Sequence, residues 1–291
     1  MKLPSEVYSH TLGRGVALTP QKFQDHLLAD QALGYCGAVI LTDVIDTTFT
    51  PADFVRVLKD TGMKAIVCGF LGSSGPNPLV RSEMQAAYTH LERAAKFAAA
   101  FAEVGCGPAK LIGPMHTKHR TQIATWDQSA FEEWLKVISG LHKTYGHRIL
   151  FEPLNPTEDG FQDPFTTIPD AILNDRDAFG IHLDLAHFHS RKLNHVRMSR
   201  LAELGMIGHI EITNVGRWPL DVDEGIDYEE FFRVMTRMTE NKPITLGVEP
   251  FCGEVIETFD LRTLCNTKVE GPEALERDAG FLRRNEIMIQ Q

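Results

Sequence analysis

An alternation of strand-like and helix-like segments recurs along the whole chain, and it is the feature that most limits the folds available. Short runs of β-forming residues are each followed by a stretch of helical periodicity, as at 64–70 before 79–104 and 147–151 before 164–173. About eight such pairs fit into the 291 residues. Strands that alternate with helices pair in parallel through right-handed crossovers. The pattern therefore predicts an α/β fold in which a single (β/α)₈ TIM barrel domain spans residues 1–291.

A doubly wound open sheet is the rival architecture for the same alternation. That fold is expected to open its first helix with a GxGxxG turn, and no such turn is present at this position. The longer connectors, 69–78, 153–163 and 214–227, all follow predicted strands. In a barrel this is the end that carries the chemistry.

Composition and charge exclude several classes of function. The chain is 43% hydrophobic and 23% charged, as in ordinary globular proteins, and 29 Lys and Arg against 39 Asp and Glu give a net charge of -10. A surface this acidic repels nucleic acid and anionic lipid, so neither is expected as a partner. No segment approaches the roughly 18 apolar residues of a membrane span. The five cysteines lack metal-binding spacing, so we expect free thiols in a reducing cytoplasm.

Four consecutive predicted strands end in side chains that commonly bind metal ions. On each strand these side chains alternate with apolar residues, so they occupy the face that points into the barrel. They are Glu152, Asp184, His209 and Glu249. Burying converging carboxylates with no inward lysine nearby requires a cation. Three carboxylates and one imidazole favour a divalent ion, with Mn²⁺ first and Mg²⁺, Co²⁺ or Zn²⁺ as alternatives.

Two further polar residues share the inward face of these strands. His182 is expected to be a core histidine that is hydrogen-bonded inside the barrel. Glu211 lies two residues after His209 and either orients that histidine or is an ordinary loop carboxylate.

Four short motifs carry a resemblance to a known family. They are FEPLN around Glu152, HLDLAH around Asp184, GHIEITNVGR around His209 and GVEPF around Glu249. Together they resemble the sugar phosphate isomerase/epimerase superfamily with its xylose isomerase-like barrel, in particular the ketose 3-epimerases of the tagatose/psicose type and the hydroxypyruvate isomerases. The resemblance implies that these four residues bind one divalent metal ion. It also implies that Glu152 and Glu249 act as an acid/base pair.

The same resemblance implies a set of substrate-contacting residues. They are His187, Arg217, Glu158, Cys68 and His116. The chain departs from the epimerases after the EPLN turn, after Glu249, and in the spacing between His209 and Arg217, which is two residues longer. These departures affect the expected substrate wall more than the metal core.

The activity implied is the transfer of a proton next to the carbonyl of a small keto sugar or hydroxy-ketone through an enediolate. A metal-dependent lyase or dehydratase acting on a keto-inositol or an oxidised sugar is an alternative, as is a non-catalytic subunit of a larger enzyme. No cluster of Arg and Lys or Gly-rich loop that could bind phosphate is evident near the strand ends, so we expect an unphosphorylated sugar. Members of the family are often dimers or tetramers, which suggests a homodimer or a homotetramer.

Overall fold

The chain folds around a closed barrel of parallel strands. The structure, a computed structural model, describes residues 6–11, 18–69, 71, 75–105, 110–116, 128–156, 163–223, 225–239, 244–250 and 271–285. Each strand pairs with the next in chain order, and β8 pairs with β1. The strands are β1 Val7–His10, β2 Gly37–Leu41, β3 Lys64–Cys68, β4 Lys110–Gly113, β5 Arg148–Phe151, β6 Phe179–Asp184, β7 Ile207–Glu211 and β8 Thr245–Val248. The predicted (β/α)₈ barrel is confirmed.

Helices follow the strands in the described parts of the chain. They are α1 Pro20–Leu33, α2 Pro51–Thr61, α3 Met84–Ala102, α4 Gln128–Tyr145, α5 Pro164–Ile172, α6 Leu185–Ser190, α7 His195–Glu203, α8 Tyr228–Thr239 and α9 Gly271–Arg284. Local sequence signals explain several of their ends. At α2, the Asp53 carboxylate accepts a hydrogen bond from the Thr50 backbone N–H at 2.8 Å, which completes a capping box. None of the described helices is both long and apolar enough to cross a bilayer.

The short helix α6 was not predicted from the sequence. It begins directly after β6, where the Asp184 side chain accepts a hydrogen bond from the Ala186 backbone N–H at 2.7 Å. Six residues are too few to give a clear helical periodicity. This turn matters for the site because it brings His187 back over the end of the barrel.

The pairing of β6 with β7 sets the level of each inward side chain. Ile181 pairs with Ile207 but His182 pairs with His209, so β7 carries one extra residue, Gly208, at a bulge. Beyond the bulge, Asp184 pairs with Glu211. The two histidines therefore form a lower layer, and the two carboxylates form the layer at the carboxyl end of the barrel.

Candidate metal centre

Four acidic side chains converge at the carboxyl ends of β5 to β8. Glu152 and Glu249 directly follow β5 and β8, whereas Asp184 and Glu211 are the last residues of β6 and β7. Asp184 and Glu211 are fully buried, Glu152 is 6% exposed, and the Glu249 side chain is 10% exposed. So much negative charge in a buried space requires nearby positive charge.

Arg217 is one source of that positive charge. It lies in the loop after β7 with a φ of 59°, a left-handed backbone conformation that is uncommon for residues other than glycine. Its guanidinium lies 2.8 Å from Asp184 Oδ2 and 2.5 Å from Glu249 Oε2. Arg217 thus bridges two of the predicted metal ligands, and its predicted contact with substrate stays a prediction.

His187, on α6, closes the side of the cluster next to β5. Its Nδ1 accepts a hydrogen bond from the Asn155 backbone N–H at 3.3 Å, which leaves the proton on Nε2. Nε2 lies 3.4 Å from Glu152 Oε1 and 3.5 Å from Asp184 Oδ2. The ring is therefore oriented to donate toward the carboxylates, and its predicted contact with substrate remains a prediction.

A layer of histidines lies beside and below the carboxylates. His182 Nε2 is 3.3 Å from Glu211 Oε2, and its Nδ1 is 3.6 Å from Glu152 Oε2. His10 Nε2 lies 3.7 Å from Glu249 Oε1 and 4.0 Å from Glu211 Oε1. His182 is buried inside the barrel as expected, but neither of its ring nitrogens makes the expected well-directed hydrogen bond. Glu211 is the last residue of β7 and not a loop residue.

Burial and neighbouring charge act in opposite directions on these imidazoles. Burial lowers the pKa of His10 and of His209 to about 4, so both rings are neutral at pH 7. Burial also disfavours the charged form of His182, but the carboxylates of Glu152 and Glu211 outweigh it and raise the pKa of His182 to about 9. His182 therefore supplies a second positive charge beneath the carboxylates.

The carboxylates differ among themselves for the same reasons. Burial acts to raise the pKa of Asp184 and of Glu211, but Arg217 reverses the effect for Asp184 and His182 reverses it for Glu211, whose pKa lies well below the usual range. Burial and the neighbouring carboxylates together raise the pKa of Glu249 well above its usual range despite Arg217. These surroundings thus favour the charged form of Asp184 and Glu211 and the protonated form of Glu249.

Groups of three donor atoms within 4.8 Å of one another identify where a metal ion would fit. In the described parts of the chain these groups are Glu152, Asp184 and His187; His10, Glu211 and Glu249; and His182, His209 and Glu211. Both Glu211 oxygens and His209 Nε2 are buried without a well-directed hydrogen bond. The donor set suits a divalent ion such as Mn²⁺ or Mg²⁺. The four predicted ligands do not form one such group here, because they are divided among the three.

The remaining predicted site residues lie in different surroundings. Cys68 is buried at the end of β3, and burial, reinforced by Glu152 and other carboxylates, raises the pKa of its thiol well above the usual range. His116 is fully buried, and its ring packs edge-on against Phe151 at 6.1 Å between centroids. Glu158 lies outside the described residues.

Two contributors were missed by sequence reasoning. His10 ends β1, and its position at a strand end is the same signal from which the metal ligands were predicted. Lys110 corrects the expectation that no lysine points inward, because its ammonium group donates to Gly208 O at 3.0 Å and to Thr245 Oγ1 at 3.3 Å. Its position at the start of β4, far in sequence from those partners, concealed the contact.

A family model described as the xylose isomerase-like TIM barrel matches residues 27–285. The chain belongs to this family. The resemblance inferred from the four motifs is thereby confirmed. No curated protein matches the chain significantly.

Solved structures of low sequence identity share the fold over nearly the full length. L-ribulose 3-epimerase superposes with a TM-score of 0.83 at 15% identity, covering 97% of both chains. D-allulose 3-epimerase from Methylomonas sp. gives 0.79 at 15% identity, covering 98% of this chain and 99% of the other. The 3-keto-D-glucoside 4-epimerase from E. coli gives 0.68 at 17% identity, covering 97% of this chain and 100% of the other.

Proposed function

We propose that this chain is a divalent-metal-dependent epimerase or isomerase that moves a proton next to the carbonyl of a small keto sugar or hydroxy-ketone. The observation that carries the proposal is the buried cluster of Glu152, Asp184, Glu211 and Glu249 at the carboxyl end of the barrel. Structures of the same fold include 3-epimerases of L-ribulose and D-allulose, which act by inversion at a carbon of a ketose.

The proposed ligands of the ion are Glu152, Asp184 and Glu249, with β7 contributing from its inward pair of His209 and Glu211. A divalent ion bound there would act as a Lewis acid toward a carbonyl and its neighbouring hydroxyl and so make the intervening C–H bond more acidic. Mn²⁺ is the first candidate, and Mg²⁺, Co²⁺ and Zn²⁺ are the alternatives to compare.

Glu152 and Glu249 are the proposed acid/base pair. They approach the site from two different strands and have different neighbours: Glu152 lies beside His187, and Glu249 lies beside His10. One carboxylate removes the proton, and the other returns a proton to the opposite face, which inverts the carbon. Return of the proton to the neighbouring carbon would instead interconvert a ketose and an aldose.

Arg217 and His187 are the proposed contacts to the sugar oxygens. Both are hydrogen-bond donors already directed at the carboxylates, Arg217 through its guanidinium and His187 through Nε2. Their donors are placed to hold the hydroxyls of a neutral sugar close to Asp184. An unphosphorylated substrate, a cytoplasmic location and a homodimer or homotetramer are parts of the same proposal.

The experiment that tests the proposal is proton exchange in D₂O. Protein loaded with Mn²⁺ is incubated with a panel of ketoses in D₂O. The paramagnetic Mn²⁺ is then removed or replaced by Mg²⁺, and the substrate C–H signals are read by NMR. Deuterium incorporation with inversion indicates an epimerase, incorporation with an aldose product an isomerase, and loss of water a lyase. No incorporation from any member of a broad panel would contradict the proposal.

Variants connect that exchange to the acid/base pair. Glu152→Gln and Glu249→Gln are each expected to lower the exchange rate by about 10²- to 10⁴-fold. Glu132→Gln, on the outer helix α4, is the matched control and should exchange at the wild-type rate. A Glu152 or Glu249 variant with full turnover would remove that residue from the mechanism.

A further inference from the structure

A hydrogen-bonded chain of side chains crosses the barrel interior and ends at the proposed metal centre. Lys110 Nζ lies 3.3 Å from Thr245 Oγ1, and Thr245 Oγ1 lies 2.7 Å from His209 Nδ1. His209 is fully buried, and its strand partner in the β7–β8 pairing is Thr245. The three residues come from β4, β8 and β7, so the contact depends on closure of the barrel.

The donors in this chain fix the direction of its hydrogen bonds. A lysine ammonium group only donates, so Thr245 Oγ1 accepts from Lys110 and has one hydrogen left to donate. Gly208 O is 3.4 Å from Thr245 Oγ1 and already accepts from Lys110 at 3.0 Å, whereas His209 Nδ1 is only 2.7 Å away. His209 Nδ1 is therefore the better-placed acceptor for the hydroxyl hydrogen, and donation to it puts the proton of the neutral imidazole on Nε2.

Nε2, the nitrogen that carries the proton in that tautomer, faces Glu211. His209 Nε2 lies 3.7 Å from Glu211 Oε1, so a movement of about 0.7 Å brings it to the usual length of a hydrogen bond. Space for both side chains depends on Gly247, where an added Cβ would lie 3.0 Å from His209 Nε2 and 3.2 Å from Glu211 Cγ. An imidazole with hydrogen on Nε2 has no lone pair on that atom to offer a metal ion.

We propose that Lys110 and Thr245 hold His209 as an Nε2–H donor to Glu211, so that Glu211 is the β7 ligand of the ion and His209 is a positioning residue. This rests on the proposed function for the ion itself, but the tautomer of His209 does not. The heights of the two side chains along the barrel axis support this assignment. Glu211 pairs with Asp184 at the carboxyl end, whereas His209 pairs with His182 one layer below. The inference replaces the expected ligand His209 with a fourth carboxylate.

Nitrogen NMR of the metal-free protein tests the tautomer directly. In wild-type protein, long-range ¹H–¹⁵N correlation of His209 should show a protonated Nε2 and an unprotonated Nδ1; its signals are identified by their loss in His209→Gln. Thr245→Val should abolish this preference and Thr245→Ser should retain it. A wild-type ring with its proton on Nδ1 would overturn the proposal.

Metal binding tests the assignment of the ligand. Glu211→Gln should abolish Mn²⁺ binding detectable by calorimetry, whereas Thr245→Val and Lys110→Met should weaken it by about 10- to 100-fold, as loss of support to a ligand does. Thr245→Ser should bind as the wild type does. In electron spin echo spectra of bound Mn²⁺, His209→Gln should leave any nitrogen coupling unchanged.

Two results would contradict the assignment: a nitrogen coupling that disappears in His209→Gln, or wild-type Mn²⁺ affinity in Glu211→Gln. Folding of each variant is checked by its near-UV circular dichroism. If Glu211→Gln does not fold, the coupling measured in His209→Gln decides the question alone. If wild-type protein binds no ion at all, the proposed function and the ligand assignment fail together, while the NMR result still judges the tautomer.

Discussion

Asp278 couples the stability of the protein to pH through the loop that carries Arg217. The side chain lies on α9 and is buried, and its Oδ1 accepts a hydrogen bond from the Leu220 backbone N–H at 2.7 Å. Burial raises the pKa of Asp278 from 3.8 to about 7, although the hydrogen bond from Leu220 opposes the rise. The neighbouring Asp221 carboxylate raises the pKa of Asp278 further, and the Arg277 guanidinium offsets part of the rise.

The sign and size of the effect follow from the pKa in the two states. Between pH 3.8 and about 7 the folded protein holds a proton on Asp278 that the unfolded chain releases. The free energy of unfolding therefore falls as pH rises through this window, by up to about 1.4 kcal/mol per pH unit. Over the roughly three units of the window, the loss reaches about 4 kcal/mol.

Asp278→Asn removes this titration and keeps an oxygen to accept from Leu220. Urea unfolding between pH 5 and 8 should show that the stability of the variant is less dependent on pH than that of the wild type, with the variant the more stable protein at pH 8. Asp170→Asn, at an exposed position on α5, is the matched control and should follow the wild-type curve. Parallel curves for wild type and Asp278→Asn would refute the reasoning.

Two glycine substitutions test close contacts inside the barrel. Gly37→Ala would place a Cβ 2.3 Å from the backbone oxygen of Lys64 and should lower the free energy of unfolding by about 3 kcal/mol in a urea titration. Gly247→Ala would place its Cβ 3.0 Å from His209 Nε2 and should weaken Mn²⁺ binding about 10-fold by calorimetry. Gly140→Ala, where a Cβ meets nothing closer than 3.8 Å, is the control; it should keep wild-type Mn²⁺ affinity and raise stability by about 1 kcal/mol. Unchanged stability in Gly37→Ala or unchanged affinity in Gly247→Ala would contradict the respective contact.

Much of the fold could be predicted because the signals were local. The helical stretches predicted at 79–104 and 164–173 follow from periodicity within each segment, and they correspond to α3 Met84–Ala102 and α5 Pro164–Ile172. The inward faces of the strands follow from alternation, which correctly places Asp184 and Glu211 toward the interior.

Relations between strands could not be predicted in the same way. Alternation specifies the face on which a residue lies but not its height along the barrel, and the bulge at Gly208 sets the height of His209 and Glu211. The sequence did contain one signal of this shift along β7: His209 and Arg217 lie two residues further apart than in the epimerases. The contact of Lys110 with Thr245 joins residues 135 positions apart and arises only when the barrel closes.

The most direct test of the account is the position of a bound ion. A crystal grown with Mn²⁺ should give one strong anomalous peak per chain, with oxygens of Glu152, Asp184, Glu211 and Glu249 within about 2.5 Å. Calorimetry on the same protein should give a stoichiometry of one. A map without a peak between these carboxylates at saturating Mn²⁺ would contradict the central claim that they gather to hold a divalent cation.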